Sequence, residues 1–188
     1  MRVITGKYRG KVLLSPDKKS RTRPTTDRIK ETMFNILFSK GVCDGICVLD
    51  LFAGTGALGI EALSRGAESC IFIDIETDSC KLIRQNLAAV GAKGEVYHAA
   101  YKTALAKLSG KTFDLILIDP PYHQEKEQEI LELIAQYELL AAKGVIVVEH
   151  SRDNKITSAY FTGDTRDCGN TMLTFLEKND HNSIKFIR

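Results

Sequence analysis

A chain of 188 residues, 44% hydrophobic and 27% charged, can bury one full-sized core, and this balance excludes a disordered or fibrous protein. The five scattered cysteines, Cys43, Cys47, Cys70, Cys80 and Cys168, have no zinc-type spacing and read as reduced thiols. With no secretory leader and no apolar run of membrane-spanning length, a cytoplasmic protein is expected.

The net charge of +2 hides an asymmetry: residues 1–30 carry ten basic and two acidic side chains, and the remainder 16 basic and 22 acidic. A cationic segment on a mildly anionic body suggests that the segment meets a polyanion. Residues 1–25 are read as a basic RNA-binding arm. Arg9, Lys11, Lys18, Lys19, Arg21 and Arg23 are its candidate phosphate contacts, with Tyr8 as a candidate stacking ring.

A main domain is expected over 26–188, entered through a linking helix at 27–40. In that helix Ile29, Met33, Ile36 and Leu37 follow helical spacing, Pro24 to Asp27 supply the start and Gly41 the stop. Strands and helices then alternate. The predicted strands are "ICVLDLF", "SCIFIDI", "GEVYHA", "FDLILID" and "GVIVVEH"; the helices between them are "ALGIEALSRG", "DSCKLIRQNLAAVG", "YKTALAKLSG" and "QEKEQEILELIAQYELL". This is the pattern of an α/β doubly wound parallel sheet. The segment "TSAYFTGDTRDCGNTMLTFLEK", with alternating, β-branched and aromatic character around Gly163, Asp164 and Gly169, fits an antiparallel hairpin closing one edge.

In such a sheet, ligands bind beyond the carboxyl ends of the strands. The first strand is followed by Gly54, Gly56 and Gly59 in G-x-G-x-x-G spacing, where the backbone can approach a ligand and a helix start offers free N–H groups. The second is followed by Asp74, whose carboxylate can accept from both hydroxyls of a ribose. Loop and acid together point to a ligand containing a nucleoside.

The fourth strand ends in Asp119-Pro120-Pro121-Tyr122. The exocyclic amine of a nucleobase is a poor nucleophile because its lone pair is delocalised into the ring. Acceptors in the amine plane draw its protons and free electron density for attack on a methyl sulfonium. Asp119 offers a carboxylate and Pro120 a carbonyl, the two prolines stiffen the turn, and Tyr122 offers a ring on which an extruded base can stack. His98, His123 and His150 have no metal-site spacing, no metal is expected, and Glu149 is an acid near the same face. Three other readings remain: an amino-methyltransferase acting on another base such as adenine N6 of DNA, a nicotinamide oxidoreductase, and a noncatalytic RNA-binding protein.

The combination "TRPTTDRIKETMFNIL", "LDLFAGTGALGIEALSRGA", "DPPY" and "CGNTMLTF" resembles the RsmD-type family, bacterial enzymes that methylate N2 of one guanine in 16S ribosomal RNA. The resemblance implies a Rossmann-like class I methyltransferase fold, a seven-stranded mostly parallel sheet with a C-terminal antiparallel hairpin, and S-adenosylmethionine as methyl donor. It also implies Asp50, Phe52, Gly54 and Gly56 at the methionine end of the cofactor and Asp74 on its ribose. Asp119 to Tyr122 would form the amine site. Its substrate would be 16S rRNA in a small subunit or an assembly intermediate, and the enzyme a monomer. The sequence departs from the pattern after strand three, where Ala99 and Ala100 replace an acid that contacts adenine; Ala100 is kept as a cofactor contact.

Overall fold

The computed structural model describes residues 1–15, 27–42, 44–120 and 126–179. Its elements are α1 (Asp27–Ser39), β1 (Cys47–Leu51), α2 (Ala57–Ser64), β2 (Ser69–Asp74), α3 (Thr77–Val90), β3 (Glu95–His98), α4 (Tyr101–Lys107), β4 (Phe113–Ile118), α5 (Glu127–Gln136), β5 (Leu140–His150), β6 (Phe161–Asp167) and β7 (Met172–Lys178). The strands form a seven-stranded sheet in the order β3-β2-β1-β4-β5-β7-β6. β1 to β5 pair in parallel, and β7 runs antiparallel to both β5 and β6.

The central strands read as unbroken apolar runs because both of their faces are covered. Val48, Leu115, Leu117, Val147 and Phe175 pack with α1, α2 and α3 on one side. Leu49, Ile71, Ile116 and Val148 pack with α4 and α5 on the other. Strand order reverses between β1 and β4, which opens a crevice at their carboxyl ends.

One element boundary differs from the sequence reading by several residues. The fifth helix, expected to run through Leu140, ends at Gln136, and Leu140 is already a β5 residue paired with Phe113. Glu138 makes the break with a left-handed φ of 52°, and Leu139 N–H turns back to the Ile134 carbonyl. Sequence gives no sign of this stop because a glutamate takes a conformation usually left to glycine. In the C-terminal hairpin, the turn lies at Gly169, closed by Cys168 N–H donating to Thr171. Gly163 sits inside β6, where a Cβ would lie 1.7 Å from the Phe175 carbonyl oxygen, so it permits a close strand approach and forms no turn.

The described part of the N-terminal segment is docked on the body. Residues 1–14 double back on themselves, with Arg2 bridged to Val12, and bury Val3 and Leu13 among α1, α2 and α3. Glu61 of α2 fastens this hairpin by accepting from the N–H groups of Ile4 at 2.8 Å and Thr5 at 3.1 Å. Lys30 and Arg65 offset its buried charge at 3.6 and 2.8 Å. Burial holds the Lys30 ammonium below the usual lysine range, opposed chiefly by Glu61. At the hairpin tip, Lys7 N–H donates to the Ser64 carbonyl and Tyr8 N–H to Ser64 Oγ. The tip therefore lies at the C-terminal end of α2.

Candidate active site

The carboxyl ends of β2, β1 and β4 lie side by side, since Leu51 is in register with both Ile73 and Ile118. Asp74, Phe52 and Asp119 therefore follow one another across the sheet edge. The chain between β1 and α2 turns through left-handed conformations at Phe52, Gly54 and Gly56, with φ of 61°, 56° and 76°. The glycines adopt these at little cost, whereas Phe52 does so against the preference of a bulky side chain.

Both carboxylate oxygens of Asp74 hold backbone: Gly54 N–H donates to Oδ2 at 2.8 Å and Glu76 N–H to Oδ1 at 2.8 Å. Each oxygen keeps a further lone pair for an incoming hydroxyl. Asp74 thus fixes the glycine loop and presents an acceptor beside it, which fits the hydroxyls of a ribose.

Asp50 lies beneath the loop. It is buried, and its Oδ2 accepts from Gly59 N–H at 2.9 Å, tying β1 to α2. Burial pushes its pKa up to about 7, with the Gly59 bond working against the rise and the Asp74 charge adding to it. Asp50 supports the loop from inside the fold. Asn86 of α3 is a second buried support, donating from Nδ2 to the Thr55 and Leu14 carbonyls and accepting from Leu14 N–H.

Three side chains escaped the sequence reading. Ile75, directly after Asp74, is 60% exposed and presents an apolar surface at the rim. Its position after the acid was the available signal. Tyr101, at the start of α4, packs its ring on Phe52 and donates from its hydroxyl to Glu129. Glu61 is the only charged residue of α2, in an otherwise apolar and buried helix, and that isolation was the available signal. Ala99 and Ala100 follow β3 next to this rim, with Ala99 N–H donating to the Asp74 carbonyl. His98 donates from Nε2 to the Ile75 carbonyl at 2.8 Å and so braces the same turn.

Asp119 and Pro120 stand at the end of β4, and Ile118 pairs with Val148, which puts Glu149 next in line. His150 is engaged inside the sheet edge with Ser151 and Thr174. Pro121, Tyr122 and His123 lie outside the described residues, as do Lys18, Lys19, Arg21 and Arg23. Arg9 and Lys11 are exposed on the hairpin, away from the crevice. Among the described residues no group of His, Cys, Asp and Glu could hold a metal ion.

The family model described as conserved hypothetical protein 95 matches residues 1–177. The chain belongs to this family, the RsmD type. Among the relatives, the putative rRNA methyltransferase YlbH of Bacillus subtilis is 41% identical over 157 residues, covering 81% of this chain and 84% of that protein. Ribosomal RNA small subunit methyltransferase D of Escherichia coli is 36% identical over 155 residues, covering 82% and 76%. The solved structure of the putative methyltransferase yhhF from Escherichia coli superimposes with a TM-score of 0.84 at 31% identity, over 95% of this chain and 98% of that one. The fold expected from the RsmD-type resemblance, including the antiparallel C-terminal hairpin, is the fold observed.

Proposed function

We propose that the protein transfers a methyl group from S-adenosylmethionine to the exocyclic N2 amine of a guanine in small-subunit ribosomal RNA. The observation that carries this reading is the row Asp74, Phe52, Asp119 at the carboxyl ends of three adjacent strands, with the glycine loop anchored between the first two. A nucleoside acceptor and an amine acceptor stand on the two strands that flank β1, on either side of the glycine loop. Membership of the RsmD-type family and the names of its relatives support ribosomal RNA as the substrate.

S-adenosylmethionine supplies an electrophilic methyl carbon on a sulfonium. Asp74 accepts from the ribose hydroxyls, the loop at Gly54 and Gly56 lets the backbone approach the methionine end, and exposed Ile75 with Ala99 and Ala100 offers an apolar slot for adenine. The Asp119 carboxylate and Pro120 carbonyl accept hydrogen bonds from the two N2–H groups, which helps localise the nitrogen lone pair and orients it for in-line attack. Pro121 and Tyr122 complete the motif as a rigid turn and a stacking ring. Asp119 acts as an orienting hydrogen-bond acceptor, and after the methyl–sulfonium bond breaks the methylated nitrogen releases one proton to solvent. The basic N-terminal residues, with Arg9 and Lys11 on the docked hairpin, hold RNA phosphates. No helix among the described residues is long and apolar enough to cross a membrane, and the rRNA-modifying relatives favour work in the cytoplasm.

The test is methylation of isolated small subunits, naked rRNA and DNA with labelled S-adenosylmethionine, followed by identification of the nucleoside. N2-methylguanosine from the small-subunit RNA is expected. Label in N6-methyladenosine would overturn the assignment, and thermal stabilisation by NAD in place of S-adenosylhomocysteine would overturn the cofactor.

A further inference from the structure

At the far end of α2 from the glycine loop, a cavity of about 400 Å³ lies between α1, the end of α2 and the tip of the N-terminal hairpin. This volume is within the range of roughly 300–1,000 Å³ typical of small-ligand sites. Its wall includes Phe34 and Phe38, one turn apart on α1, together with Ile46, Asp44, Arg65 and Gly6. Phe38 is 70% exposed, an unusual position for a phenylalanine on a helix that otherwise buries its apolar face. The Arg65 guanidinium lies 4.9 Å from the centroid of the Phe34 ring and is held by Glu61 through Nε. Its Nη2 is buried and has no hydrogen-bond partner among the described residues.

We propose that this cavity takes one unstacked nucleobase of the RNA, a few nucleotides along the strand from the methylated guanine. The inference rests on RNA being the substrate. Single-stranded RNA is bound by splaying bases onto aromatic rings and guanidinium planes, with hydrogen bonds to their edges. Phe38 and Arg65 supply a ring and a guanidinium plane, with Phe34 buried beneath the guanidinium, and a small shift of the Arg65 side chain lets a base carbonyl pair with Nη2. Exposed Lys7 and Arg9 follow Gly6 in the hairpin tip and can hold the phosphates outside the cavity. Asp44 in the wall excludes a phosphate from the interior and can accept from a base amine. An apolar protein side chain would leave Nη2 unpaired and would make no use of the cationic tip. α2 has eight residues, so the cavity lies roughly 12 Å or a little more from the glycine loop, a short run of extended strand.

The test has two parts, both on the full chain. Protein with labelled isoleucine and valine methyls is titrated with GMP and, separately, with ribose 5-phosphate, in saturating S-adenosylhomocysteine. Saturable shifts at Val42 and Ile46 with GMP only, weakened in Phe38→Ala, are expected. Shifts confined to Ile75 and the crevice, equal shifts with ribose 5-phosphate, or none at Val42 and Ile46 would sink the proposal. In methylation of small subunits, Phe38→Ala should raise KM for the particle by at least about fivefold, the lower end of what losing one aromatic stacking contact costs. Affinity for S-adenosylhomocysteine should stay the same. An unchanged KM rules the cavity out of the RNA interface. If the wild-type protein methylates no RNA, the functional reading fails separately, while the GMP titration still judges the cavity.

Discussion

The ring of Tyr101 packs 5.7 Å, centroid to centroid, from that of Phe52, while its hydroxyl donates to Glu129 of α5 at 2.5 Å. This one side chain ties three strand-to-helix connections together at the crevice. Burial first, then the Glu129 bond, pushes the Tyr101 hydroxyl up to about 12, so it remains a donor at every working pH. Phe52 holds its unfavourable φ of 61° because its surroundings fix it, and Tyr101 is part of those surroundings. Tyr101→Phe keeps the ring and loses only the tether. Tyr101→Ala loses an aromatic contact of about 0.5–1.5 kcal/mol, so its affinity for S-adenosylhomocysteine should fall roughly 2–10-fold by calorimetry. Tyr101→Phe should stay close to wild type. Equal losses in the two variants would shift the role from the ring to the hydroxyl.

Asp50 gives the fold a pH dependence of its own. Its pKa is near 3.9 in the unfolded chain and about 7 in the fold, raised mainly by burial. Between these values the native state holds a proton that the unfolded state has released. The contribution to stability is therefore complete below about pH 4, declines as pH rises, and levels off above about pH 7. At 1.36 kcal/mol per unit, the full span is on the order of 4 kcal/mol. Asp50→Asn has no proton to lose, and its side-chain oxygen can still accept from Gly59. Urea unfolding across this range should show the variant gaining on wild type as pH rises from 4 to 7. A constant difference would show that Asp50 is ionised throughout.

The N-terminal hairpin depends on a buried charge cluster, and the cost of disturbing it should be local as well as global. Removing one partner of a buried, hydrogen-bonded ion pair costs about 3–5 kcal/mol, and Glu61→Ala would strand Lys30, Arg65 and two backbone N–H groups together. Gly6→Ala is the narrower probe. Its new Cβ would lie 1.8 Å from the Ser64 carbonyl oxygen, at a φ of +86°, so the tip must lift from α2. Trypsin should then cut faster at Lys7 and Arg9, with affinity for S-adenosylhomocysteine unchanged. RNA affinity should fall, and so should its salt dependence. For about five phosphate contacts the wild-type slope of log K against log salt is near −3.5 to −4.5, and loss of the tip contacts should flatten it.

What could be read in the sequence was set by how much of each feature is local. The apolar runs of β1, β4 and β5 follow from burial on both faces, and Gly54, Gly56 and Asp74 announce themselves by residue type at a strand end. The docking of residues 1–14 could not be read that way. Its cationic composition suggests a solvated arm, whereas the contacts that hold it pair Ile4 and Thr5 with Glu61, more than fifty positions away. Asp50 was legible as a residue of the loop region, but its buried place under Gly59 was not, because strand alternation does not say which face α2 will cover. Lys30 likewise sits in a basic run and yet is buried against Glu61. Among polar neighbours such as these, a lysine paired inside the fold carries no sequence mark that separates it from one in water.

The assignment of Asp119 makes a prediction that separates chemistry from cofactor binding. It directly follows Ile118, which is in register with Leu51, so a carboxylate there stands close to the loop that Asp74 and Asp50 anchor. Loss of one preorganised contact made in the transition state costs about 10²–10³-fold in kcat. Asp119→Ala should show a loss of that order in single-turnover methylation of small subunits, with affinity for S-adenosylhomocysteine within a few-fold of wild type. Asp119→Asn keeps one acceptor but turns a donor toward N2, so it should recover little of the rate. A kcat close to wild type in the alanine variant would remove Asp119 from the amine site. A large drop in cofactor affinity with intact kcat would place it on the cofactor instead.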